Sequence, residues 1–254
     1  MYGAIIGDLA GSIYEFDQIK GIHYPNKKIL LEDQSFFSDD TILTIAIMDA
    51  IINNGNYEDY LRKYINNYKD YKPDFKPYFN SSFSPGIIKW SNGSYMGTSS
   101  GNGAMMRVSP VGYLFNNEED VINNAFLSCI PSHNSKEATE CSIKIALIIY
   151  YLRQGLSKEE VFKKMNINPI YRPFNRFNKT CYETINNCLY VLYNSKDFNS
   201  SIINAVNMGG DTDTNACIVG SIAEAIYGVS DELISQVDSK IPNDFVKTLK
   251  KVYR

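Results

Sequence analysis

Apolar residues in this chain recur at intervals of three and four and almost nowhere alternate, which commits it to helices. Across residues 1–14, Ile5, Ile6, Leu9, Ala10 and Ile13 keep that spacing, with small residues between them. Such a surface belongs to a helix packed closely on its neighbours. The same period predicts helices over residues 41–53, 57–68, 118–130, 135–152, 158–165, 179–193, 198–207, 211–226 and 242–252. Strand patterns are scarce, so the expected fold class is all-α. Ser38 is the natural N-cap of the second helix, with Asp39 and Asp40 at its positive end. The Tyr-rich stretch after residue 68, broken by Pro73 and Pro77, reads as a solvated packing face.

At 254 residues the chain can bury a large core as one domain, 1–254, without a disulfide or metal staple. Its 44% apolar and 21% charged residues are ordinary for a soluble globular protein and too apolar for a disordered one. A net charge of −3 argues against a dedicated binder of nucleic acid or of anionic membrane. The five cysteines form an odd set without a C-x-x-C pair, which argues against a zinc ribbon and a secreted disulfide framework. Asp8 interrupts the apolar start, so no secretory leader is expected. The longest apolar run, residues 145–152, falls well short of the ~18 residues of a membrane span. A reducing, cytoplasmic setting is expected.

Two acidic clusters sit at helix starts: Ser38-Asp39-Asp40-Thr41, and Asp211-Thr212-Asp213-Thr214-Asn215 after Gly209-Gly210. Carboxylates beside hydroxyls are hard oxygen ligands suited to Mg²⁺, Mn²⁺ or Ca²⁺. Helix capping is the commoner explanation of either cluster alone. If the two meet, carboxylates about 4 Å apart repel by roughly 4 kcal/mol per pair at an effective dielectric of 20, and a cation relieves this. An EF-hand fails: Ala216 stands where the loop needs Gly, and Ile222 where it needs Glu.

Residues 81–103 form the most turn-rich stretch, expected as a long loop with at most one helical turn. Within it, Gly97-Thr98-Ser99-Ser100-Gly101 matches G-x-S-x-G, but no strand pattern leads into Gly97, so a nucleophile elbow is rejected. Thr98, Ser99, Ser100, Gly101, Asn102 and Gly103 read better as an anion cradle of backbone N–H groups and hydroxyls, against the alternative of a plain connection. His133, just before the next helix, could meet a phosphate or a base, or merely cap. Glu15 ends the first helical segment among Ile13, Tyr14 and Phe16, where a carboxyl can be partly buried and shifted in pKa.

In order along the chain, Gly7-Asp8-x-x-Gly11-x-x-x-Glu15, Ser38-Asp39-Asp40-Thr41, Gly101-Asn102-Gly103-Ala104-Met105-Met106-Arg107, His133 and Gly210-Asp211-Thr212-Asp213-Thr214-Asn215-Ala216 resemble the ADP-ribosylglycohydrolases. The resemblance implies one compact domain of many orthogonally packed helices around two Mg²⁺ ions, with Mn²⁺ as an alternative. It places metal ligands at Ser38, Asp39, Asp40, Asp211, Asp213 and Thr214, and a glutamate that gates or assists the reaction at Glu15. It makes 98–103 the diphosphate loop and puts His133 near the phosphates or adenine. Ser38 stands where several relatives have Thr, which keeps the oxygen ligand.

The implied reaction is hydrolysis of the bond from the distal ribose C1″ of ADP-ribose to a modified side chain, arginine or serine, through an oxocarbenium-like state. Asp40 and Glu15 are the expected catalytic residues, holding the attacking water beside the ions. The expected partner is an ADP-ribosylated protein or ADP-ribose conjugate, acted on by a monomer without membrane or nucleic acid. Two other readings stay open: a catalytically silent ADP-ribose-binding protein, and a hydrolase of a small ester such as O-acetyl-ADP-ribose.

Overall fold

The computed structural model describes residues 1–19, 21–73 and 81–253. Along these run helices α1 (Tyr2–Gln18), α2 (Asp39–Ile52), α3 (Tyr57–Tyr68), α4 (Pro85–Ser91), α5 (Gly103–Met106), α6 (Ser109–Leu114) and α7 (Glu118–His133). They continue with α8 (Lys136–Arg153), α9 (Lys158–Lys164), α10 (Cys181–Asn194), α11 (Phe198–Asn207), α12 (Thr212–Tyr227), α13 (Asp231–Asp238) and α14 (Asn243–Lys250). No strand occurs among the described residues; two isolated bridges join Thr98 to His133 and Gly101 to Thr180. The all-α expectation is met.

The pairing of α1 with α12 sets the centre. A Cβ on Gly7 would stand 2.1 Å from the Ala216 carbonyl oxygen, and one on Gly11 2.3 Å from that of Thr212. Glycine at both positions therefore lets two backbones touch where any side chain would hold them apart. Ile5, Ile6 and Leu9 of α1 and Ile218, Val219 and Ile222 of α12 are buried in the core around this seam. The small residues read in the sequence thus do what that reading implied. The consequence for the site is direct, because the seam carries Asp8 and Glu15 of α1 alongside the start of α12.

Several boundaries differ from the sequence expectation. α1 runs on to Gln18, so Glu15 lies within it. The extra turn is pinned by tertiary bonds: Gln18 Oε1 accepts from the backbone N–H groups of His23 and Gly210, at 2.8 and 3.3 Å. α7 continues through Pro131 to His133, which therefore closes one helix and, as expected, stands just before the next. Here too the neighbours decide, since the Pro131 carbonyl accepts from Gly97 N–H at 2.8 Å and the Ser132 carbonyl from Ser99 N–H at 3.4 Å. The 81–103 stretch holds the seven-residue α4, capped by the Ser84 side chain and with Pro85 at its first turn, and ends at α5. α6, six residues long, and α13 are not expected from the sequence.

The one cap expected from the sequence is found, Ser38 Oγ accepting from Asp40 N–H, and Ser135 caps α8 by accepting from Ala138 N–H. Of the Tyr-rich stretch, Tyr71 is half-buried and stacks on Phe37 with ring centres 4.1 Å apart, so it is packed more than solvated. Residues 74–80, including Pro77, lie outside the described residues. Among the described residues no helix is long and apolar enough to cross a membrane.

Candidate active site

The two acidic clusters meet. α2 and α12 present their N-termini to one another, and Thr214 Oγ1 donates to Asp40 Oδ2 at 3.2 Å. From α1, Asp8 ties into the same place. Its Oδ2 accepts from Ser38 N–H at 2.8 Å, Thr41 N–H at 3.1 Å and Thr41 Oγ1 at 2.5 Å. Asp8 thereby satisfies the free amides that open α2. Glu15, one α-helical stretch further along, places an oxygen within 4.8 Å of ligand oxygens of Asp211 and Asp213.

Asp211 is held from two sides. Its backbone N–H donates to Asn178 Oδ1 at 2.8 Å, and its Oδ2 accepts from Asn102 Nδ2 at 2.6 Å. Asn178 in turn donates to Asn215 Oδ1 and Thr184 Oγ1. Gly210, at φ +73°, brings the chain so close that a Cβ there would lie 2.2 Å from Asn178 Oδ1. The turn into α12 is therefore shaped by a buried asparagine from the segment before α10.

Six carboxyl groups, Asp8, Glu15, Asp39, Asp40, Asp211 and Asp213, share this region, and none has a Lys or Arg ion pair among the described residues. Burial, together with the neighbouring Asp213 charge, pushes Asp8 up to about 7. Burial raises Asp211 to about 6, opposed by its hydrogen bonds. Burial and mutual repulsion hold Glu15, Asp39, Asp40 and Asp213 well above the carboxylate range. Asp8 Oδ1 and Asp40 Oδ1 are buried with no hydrogen-bond partner. Crowded acid oxygens with free lone pairs and no ion-paired cation among the described residues fit a hard divalent cation and disfavour the softer sites of zinc. Glu15 and Asp39 are half-buried, so the group opens to solvent on their side.

The 98–103 loop abuts the acids through Asn102, which is buried and whose side-chain nitrogen is committed to Asp211. Part of the expected amide cradle is also spent within the protein. Ser99 N–H bonds to the Ser132 carbonyl, Gly101 N–H to Ser99 Oγ and Asn102 N–H to the Lys179 carbonyl. The Thr98, Ser100 and Gly103 N–H groups keep no protein acceptor among the described residues. No hydrogen bond joins Ser99 to His133 there and no strand leads into Gly97, which agrees with rejecting a nucleophile elbow. His133 is buried, with Nδ1 2.7 Å from Ser132 Oγ. Its Nε2 faces the loop: a Cβ on Gly103 would lie 3.4 Å from it.

Every residue singled out in the sequence thus falls in one contiguous region: Glu15, Ser38, Asp39, Asp40, the 98–103 loop, His133, Asp211, Asp213 and Thr214. Sequence reasoning gave no role to Asp8, Arg107 or Asn178. Asp8 and Arg107 stood inside noted motifs, whereas Asn178, in an irregular segment, carried no signal at all.

Residues 1–254 match the ADP-ribosylglycohydrolase family model. ADP-ribosylarginine hydrolase Tri1 of Pseudomonas putida (strain GB-1) is 22% identical, over 91% of this chain and 70% of its own length. The ADP-ribosyl-(dinitrogen reductase) glycohydrolase of Rhodospirillum rubrum is 26% identical, over 57% of this chain and 53% of its own. A solved structure described as an ADP-ribosylglycohydrolase-related protein complex superposes with a TM-score of 0.63 at 17% identity, covering 97% of this chain and 90% of that one, a likeness of fold.

Proposed function

This chain belongs to the ADP-ribosylglycohydrolase family, and from that premise we propose that it is a divalent-metal-dependent hydrolase of the bond between ADP-ribose C1″ and a modified protein side chain. The observation that carries the reading is the junction of the two acid clusters at Thr214 and Asp40, with the Gly/Ser loop joined to them through Asn102. The whole chain is read as one domain acting as a monomer. Its five cysteines are free and buried, which suits a reducing cytoplasm.

Ser38, Asp39, Asp40, Asp211, Asp213 and Thr214, with Glu15 beside them, would hold two Mg²⁺ (or Mn²⁺) ions. When bound, such ions supply Lewis-acid charge that orients ribose hydroxyls and makes nearby water more acidic. The protein's own part is positional. Asn102 and Asn178 fix Asp211, while Thr214 and Ser38 fix one oxygen of Asp40. The other oxygen, Oδ1, is buried without a hydrogen-bond partner, which leaves it to a cation, and Glu15 at the opening holds the water that attacks C1″. Glu15, half-buried at the opening, takes the proton from that water and returns it to the departing nitrogen or oxygen. The Thr98, Ser100 and Gly103 amides bind the diphosphate, supplying binding energy away from the reacting carbon.

Arginine is the first linkage to test, because Tri1 carries that specificity in its name. Release of ADP-ribose from arginine-linked, serine-linked and O-acetyl substrates, each with Mg²⁺ and with chelator, decides the matter. Metal-dependent release from a protein linkage supports the reading. Tight ADP-ribose binding without turnover on any linkage would mark a silent binder, and turnover of the ester alone a small-molecule hydrolase.

A further inference from the structure

Arg107 is 1% exposed and makes no ion pair among the described residues, feeling only the Asp39 charge from beyond contact, and its Nε and Nη1 make no hydrogen bond. A guanidinium so placed is costly. Its short contact is from Nη2 to Ser132 Oγ at 2.7 Å, with a longer one at 3.4 Å to the Ser128 carbonyl. Ser132 Oγ is in turn 2.7 Å from His133 Nδ1.

We propose that Arg107 and Ser132 are positioning residues that lock His133 in one neutral tautomer, with Nε2–H aimed at the 98–103 loop as a fixed hydrogen-bond donor to the anionic part of the substrate. A guanidinium only donates, so Ser132 Oγ must accept from Arg107. The Ser132 hydroxyl hydrogen then has one acceptor within reach among the described residues, His133 Nδ1. Nδ1 must therefore be bare, and the proton of a neutral imidazole goes to Nε2. Nε2 makes no hydrogen bond to a described residue, and a Cβ on Gly101 or Gly103 would come within 3.5 or 3.4 Å of it. Glycine at both positions keeps that space clear. Burial, and after it the Arg107 charge, holds His133 well below the usual histidine range, which keeps it neutral.

The inference rests on the proposed function for what lies opposite Nε2, while the tautomer itself does not. The test is the ¹H–¹⁵N imidazole spectrum of the full protein at pH 7, with His133 told from His23, the other histidine, by a His23→Gln variant. The expected spectrum shows a bare Nδ1 and a protonated Nε2. An Nδ1–H tautomer or an imidazolium would overturn the proposal without any further variant. Ser132→Ala should let the tautomers mix and weaken ADP-ribose binding by about 10-fold, the loss of one hydrogen bond. Ser132→Thr, which keeps the hydroxyl, should restore both. A folded Ser132→Ala protein with the wild-type tautomer and affinity would overturn the proposal. The expected spectrum in a wild-type protein that binds no ADP-ribose would support the lock and overturn the function instead.

Discussion

The Thr214 hydroxyl donates to the Asp40 carboxylate at 3.2 Å across 174 positions of sequence. That bond joins the first turns of two helices whose positive ends converge on the same crowd of carboxyl groups. The first cluster caps its helix through Ser38, whereas Asp211 at the start of α12 makes no side-chain cap bond. Together the two clusters form a repulsive group that a folded chain sustains by holding protons or by binding cations.

Thr214→Val should therefore fold, lose the bond to Asp40 and weaken Mg²⁺ binding by about 10- to 100-fold, with Thr214→Ser close to wild type. Asp39→Ala and Asp211→Ala should reduce hydrolysis at least about 100-fold. Calorimetric titration with Mg²⁺ and the ADP-ribose release assay read these out. Wild-type metal affinity in a folded Asp211→Ala protein would remove that residue from the ligand set.

In the absence of divalent cations, stability should fall as pH rises from about 4 to 7. Asp8 and Asp211 are raised from the ordinary 3.8 to about 7 and about 6, so the folded state binds protons more tightly than the unfolded one. The stabilisation this gives is complete below the unfolded pKa and is lost as pH climbs through the folded values, at about 1.4 kcal/mol per pH unit and group. Saturating Mg²⁺, which competes with those protons, should reverse the trend. Thermal melts from pH 5 to 8 in chelator and in Mg²⁺ check it; a melting temperature that rises with pH in chelator contradicts it.

Asp213→Asn should raise the melting temperature of the metal-free protein while abolishing its gain from Mg²⁺. Removing the carboxyl takes away the repulsion that Asp8 and Asp39 feel from it, while the amide can keep the hydrogen bond to Asp211. A metal-free melting temperature below wild type would mean that Asp213 is held by bonds worth more than the repulsion.

Gly11→Ala should destabilise by roughly 1–3 kcal/mol or more, since its Cβ would meet the Thr212 carbonyl oxygen at 2.3 Å and backbone cannot step aside cheaply. The same change at Gly86, where a Cβ meets nothing nearer than 3.9 Å, should cost under about 1 kcal/mol or stabilise, because alanine favours helix. Urea unfolding of the two variants makes the comparison, and equal losses would mean that the α1–α12 seam is looser than its geometry.

Much of this protein is written locally. The three-to-four spacing of Ile5, Leu9 and Ile13, the same period over residues 135–152 and the capping side chain of Ser38 act within a few residues of themselves, so α1, α2 and α8 were legible, as were the acids at two helix starts and the ordered motifs. Local signals also misled where neighbours prevailed: Pro131 marked an end to α7, but bonds from Gly97 and Ser99 to its last carbonyls carry it on to His133. What the sequence could not decide was adjacency. That Asp40 meets Thr214, that Asn178 and Asn102 steady Asp211, that Asp8 closes the start of α2 and that Arg107 stands behind His133 all depend on the close seam of α1 on α12 and the helices packed around it. Periodicity fixes which face of a helix is apolar, whereas the partner that face meets is chosen by packing the whole chain at once, and the chemistry of the site exists only after that choice.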